Sequence, residues 1–112
     1  MFRLTLNRVR DRITIREGSE TLPLTVDCDA RMIVTRIRQA QMQINEANKS
    51  ESTDEDRMKA ARAFAVAIFG EKQTDQLAEF YSGDYSCVMT ISGLYFEKRL
   101  CKKIIAAQKK LK

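Results

Sequence analysis

Histidine is absent from the 112 residues, and with it the commonest general base and the commonest metal ligand. Tryptophan is absent too, and Pro23 is the single proline, so long extended linkers are not expected. The four glycines, Gly18, Gly70, Gly83 and Gly93, all stand apart, which excludes a glycine-rich loop cradling a phosphate. Three cysteines, Cys28, Cys87 and Cys101, are an odd number at wide spacing. They argue against a disulfide framework and for reduced thiols acting as small hydrophobes. A cysteine nucleophile would also lack a histidine base. No apolar run approaches the ~18 residues needed to cross a bilayer. The opening MFRLTLNRVR alternates instead of forming the apolar core of an export signal. The expectation is a cytoplasmic protein with no enzymatic activity, no cofactor and no metal site.

What remains is ordinary globular material, 44% hydrophobic and 31% charged, enough for one domain. The net charge of +5 is unevenly placed. Residues 1–40 hold eight Lys/Arg against five Asp/Glu, residues 41–84 five against nine, and residues 85–112 seven against one. A basic end and an acidic middle favour head-to-tail self-association or an acidic partner, nucleic acid among them. The competing reading is a long exposed helix carrying lysines for solubility.

The first part, residues 1–28, reads as strand. Phe2, Leu4 and Leu6 alternate with polar residues, as do Ile13 and Ile15, and then Leu22, Leu24 and Val26. Glu17-Gly18-Ser19-Glu20 between the last two runs predicts a hairpin. Pro23 cannot donate to a ladder and predicts either an edge strand or a proline facing solvent. Arg3, Arg8, Arg10, Arg12 and Arg16 point outward in this pattern. A phosphate backbone is one partner for such a face, but Phe2 is the only aromatic in residues 1–63 available to stack on bases.

Helices follow over residues 29–112. Asp27 or Asp29 caps the first, whose stripe is Met32, Ile33, Ile37, Ala40, Ile44 and Ala47. Ser52 with Glu55 fits a capping box for the second, and the acidic Asp54-Glu55-Asp56 suits its positive end better than a calcium loop. That second helix, residues 54–69, is apolar and small almost all round, so it is expected to be buried on several sides or shared with another subunit. Gly70 ends it, a short helix runs from Glu71 to Tyr81, and Asp84 caps a last helix of residues 85–110. Gly93 within that helix is read as allowing close packing on the alanine-rich helix. Beyond Phe96 the last helix is expected to outgrow the globule, its residues 97–112 a protruding basic arm with an exposed seam of Leu100, Ile104, Ala107 and Leu111. The predicted fold is α+β: a small antiparallel sheet of about three strands on a bundle of about four helices. Candidate partner-binding residues are Phe80, Tyr81, Tyr95 and Phe96, with Leu100, Lys102, Lys103, Ile104, Lys109 and Lys110 of the last helix. For each aromatic singly, the domain's own core is the competing destination.

Residues 63–110 contain Ile68-Phe69-Gly70-Glu71, Leu77, Phe80-Tyr81, Gly83-Asp84, Tyr95-Phe96, Lys102-Lys103-Ile104 and Gln108-Lys109-Lys110. In these pieces the chain resembles the tail assembly chaperones of long-tailed phages and prophages. The resemblance covers a little under half the chain and rests on packing and capping residues, with no chemical signature. It implies a strand-rich start followed by helices and a non-enzymatic role in the host cytoplasm. The partners it implies are the tape measure protein, held until tube subunits polymerise around it, and the tail tube protein. It also implies absence from the finished virion and, in many members, a longer form made by frameshifting. The strong basicity is a departure that nothing in this role demands. A small nucleic-acid-binding protein and a structural tail component are the alternatives, and a homo-oligomer is a further partner the charge split allows.

Overall fold

A computed structural model describes residues 8–49, 51 and 53–109. The fold is α+β. Strands β1 (Arg8–Glu17) and β2 (Glu20–Asp29) pair antiparallel, with Ile13 opposite Leu24 and Glu17 opposite Glu20. Helices α1 (Ala30–Ala47), α2 (Asp54–Phe69), α3 (Glu71–Phe80) and α4 (Tyr85–Tyr95) follow. One π-helical turn, Phe96–Leu100, then leads into α5 (Cys101–Lys109). Among the described residues the sheet has two strands. The run Phe2 to Leu6, expected as a third, lies outside them.

The hairpin turns on Gly18, whose φ of 61° is the positive value that tight two-residue loops ask of a central residue. Val9, Leu24 and Val26 point inward and are buried. The outer edge of β2 is closed by a side chain. The Thr25 N–H donates to Gln73 Oε1 at 2.7 Å, and Gln73 Nε2 donates back to the Thr25 carbonyl at 2.7 Å. Thr25 therefore directs its backbone groups outward. Pro23, two residues earlier, shares that phase, so its missing N–H falls on the edge and costs no ladder bond.

Asp29 caps α1, accepting from the N–H groups of Arg31 and Met32 at 2.9 and 3.2 Å. The buried stripe of α1 is Ala30, Ile33, Ile37, Ala40 and Ala47. Met32, expected on it, lies one residue off its centre and is 53% exposed. The capping box of α2 is formed by Thr53 and Asp56, with both reciprocal bonds at 3.1 Å, where Ser52 and Glu55 were expected. Ser52 lies outside the described residues, and Glu55 faces Lys59 at 3.4 Å. Helix α2 is the centre of the domain. Ala60, Ala61, Ala65 and Ala67 are buried, and these short side chains let α1 and α4 both settle against it.

The last helical stretch departs most from expectation. Its buried positions are Val88, Ser92 and Tyr95, then Leu100, Ile104 and Ala107. The steps are four and three residues, interrupted once by five. In an uninterrupted α-helix a step of five swings a stripe about 140° off its face. The π-helical turn accommodates the extra residue, so the stripe stays in phase. As a result α5 packs on α1 and β1. Leu100 is fully buried and Ile104 is 6% exposed. The expected arm of residues 97–112 is thereby corrected: its seam is core through Ala107, and Leu111 lies outside the described residues.

Candidate functional site

Three flanks of the stretch from Tyr85 to Lys109 meet three different surroundings. The first is the core just described. The second faces the sheet. Asp11 stands on β1 in phase with Val9 and Ile13, on the inward face, with its side chain only 4% exposed. A buried carboxylate needs partners, and the helix supplies them one turn apart. The Tyr95 hydroxyl donates to Oδ2 at 2.9 Å and Arg99 Nη2 donates to Oδ1 at 2.7 Å. Lys103 Nζ reaches Oδ1 at 4.0 Å, and the Arg12 N–H adds a bond at 2.9 Å. Burial, reinforced by its bond to Asp11, pushes the Tyr95 phenol well above the ordinary tyrosine range. This group ties the first strand to the last helix across 84 positions of sequence.

The third flank faces a groove. Helices α1 and α4 each pack on α2 yet scarcely touch one another, so α2 is left as the floor of a trough between them. Two connected depressions of about 620 and 560 Å³ share Ile44 and Met89. Met58, Ala60, Ala61 and Phe64 belong to the floor, and Ile44, Tyr85 and Phe96 to the walls. Met58 is 42% exposed. Gly93 opens onto the trough, and a Cβ built there would meet nothing within 4 Å. The expectation that Gly93 admits a close neighbour is thus corrected: the glycine widens the groove instead. Asp84 and Glu97 mark the rim on the α4 side, while Asp54 and Arg57 are tied to one another at 3.0 Å.

The candidate residues sort across these flanks. Phe80 and Tyr81 pack edge to face on each other, with centroids 5.2 Å apart. Tyr95 stacks on Phe69 at 5.7 Å and is buried. Phe96 meets Phe64 at 6.0 Å and is the one candidate that lines the groove. The four aromatics therefore fall into three separate ring contacts and form no single cluster. Leu100 and Ile104 are core residues, unavailable to a partner, because the π-helical turn aims them inward. Lys103 is turned towards Asp11, and Lys102 is exposed. The side chain of Lys109, and all of Lys110, lie outside the described residues. Of the outward arginines, Arg8 and Arg10 both approach Asp27, at 2.7 and 3.4 Å, and the Arg8 bond holds the Asp27 carboxyl below its usual range.

The sequence reading missed Asp11 and the groove. Asp11 carried a signal, since it alternates in phase with Ile13 and Ile15. The groove carried less, because its two walls belong to helices distant in sequence. No helix among the described residues is long and apolar enough to cross a membrane. Comparison with protein-family models, with curated proteins and with solved structures returned no match.

Proposed function

We propose that the protein is a non-enzymatic tail assembly chaperone that shields apolar helix faces of the tape measure protein, and serves the tail tube protein, during tail morphogenesis in the host cytoplasm. The observation that carries this reading is the open apolar trough between α1 and α4. Its lining is largely apolar and includes two methionines, Met58 and Met89, whose flexible thioethers fit varied apolar surfaces. The resemblance in residues 63–110 supplies the identity of the client. The nucleic-acid reading has weaker support, because Arg8 and Arg10 approach Asp27 while Arg99 and Lys103 face Asp11.

Co-expression with the tape measure protein tests the proposal. The native chain should co-purify with it and keep it from aggregating. A Gly93→Arg variant, which fills open space and leaves the core untouched, should fold normally and lose the client. A folded variant that retains the client in full would remove the groove from the mechanism. Failure of the native chain to co-purify would remove the chaperone role.

A further inference from the structure

One exposed surface is used neither by the core, nor by Asp11, nor by the groove. Leu94, Lys98, Lys102 and Ile105 follow one another at steps of four, four and three along the outer side of the last helix. Lys98 and Lys102 are exposed, and so are the two large apolar side chains, Leu94 at 45% and Ile105 at 48%. We propose that this row docks into the α1–α4 groove of a second copy, so that free molecules associate head to tail.

Three properties match. The row is an apolar–basic–basic–apolar face, and the groove is apolar with Asp84 and Glu97 on its rim. Among the described residues no ion pair occupies Glu97, Lys98 or Lys102, so these charges are available to one another across a contact. The row is also short enough for the groove. From Leu94 to Ile105 is about 17 Å at ~1.5 Å per helical residue, shorter than the roughly 20 Å between Asp84 and Glu97, and Lys98 and Lys102, about 6 Å apart, are both set against one rim acid, Glu97. The groove and the row lie on different flanks of the same helix. The contact is therefore heterologous and propagates, instead of closing as a symmetric pair. It uses the groove assigned above to a client but does not depend on that assignment. A client helix would compete with the neighbouring copy for one trough.

A charge exchange, read by sedimentation velocity across a concentration series, tests the contact. At about 50 mM salt the native chain should show a mass average rising with concentration, and about 500 mM salt should weaken the association. Glu97→Lys alone should weaken it about tenfold or more, and Lys98→Glu with Lys102→Glu should do the same. All three sites are exposed, and circular dichroism would verify that both variants fold. Mixing the two variants should restore association, because each then offers what the other's groove or row requires. Native protein that stays monomeric throughout overturns the proposal. So does association unchanged in both variants, or two folded variants that fail to rescue one another.

Discussion

Two flanks of one helix solve opposite problems. Towards the sheet, the last helix meets a buried carboxylate and answers it with Tyr95, Arg99 and Lys103. That junction is polar, closed and specific in geometry. Towards α1, the same helix presents Met89, Gly93 and Phe96 to a trough that no described part of the chain fills. That flank is apolar, open and tolerant in shape. The difference separates holding the fold together from leaving something free to bind. A buried charge fixes one register, because every other register leaves it unpaired. A methionine-lined trough fixes none, which suits a surface meant for more than one apolar face.

The largest expected effect comes from the core that both flanks share. Leu100→Ala should cost about 2–5 kcal/mol, as for other fully buried leucines, read by chemical denaturation. A loss below 1 kcal/mol would mean that the π-helical phase is wrong. Next comes the closed junction. Asp11→Asn should cost about 2 kcal/mol, since it weakens charge-assisted bonds worth roughly 1.5–3 kcal/mol each; Arg99, 55% exposed, can recover water and limit the loss. The same junction gives a pH dependence of known sign. The folded Tyr95 phenol titrates above its unfolded value, so its proton stabilises the fold below about pH 10. That stability is lost as pH rises beyond, where the unfolded chain ionises and the folded one resists. Tyr95→Phe should flatten this alkaline decline.

The open flank should respond in the other direction. Gly93→Ala should stabilise by up to about 1 kcal/mol, as an Ala replacing Gly in a helix with nothing to clash against. A destabilised variant would reveal a neighbour in the trough. Smallest of all is Met58→Gln on the groove floor, expected to change stability by under about 0.5 kcal/mol while reducing client co-purification. These last two variants sharpen the contrast, because stability and binding move independently on the open flank and cannot do so on the closed one.

Much of this was legible in the sequence, and the pattern of success has a physical basis. Local rules located the α2 boundaries at Asp54 and Phe69, the cap at Asp84, the hairpin around Gly18 and the edge position of Pro23, and narrowed the first cap to Asp27 or Asp29, because capping and turn chemistry is settled within a few residues. The central burial of α2 was legible from its alanines. What failed was long in range. Asp11 was passed over because a carboxylate looks solvent-bound until its partners, 84 and 88 positions away, are known. The arm beyond Phe96 was misjudged because an α-helical period makes the stripe drift, and only a π-helical turn realigns it.

That turn has a consequence for how this chain tolerates change in length. The turn acts as a phase correction for the extra residue between Tyr95 and Leu100. Upstream of it the helix is indexed to α2; downstream it is indexed to α1 and the first strand. Deleting any one residue from 96 to 99 would turn the step of five into a step of four, so an unbroken α-helix would keep Leu100, Ile104 and Ala107 on their buried face. Straightening the turn with every residue kept would instead rotate the downstream half by about 100° and bring Arg99 and Lys103 to the places of Leu100 and Ile104. A local irregularity, worth little by itself, is thereby the condition on which two otherwise incompatible sets of contacts share one continuous element.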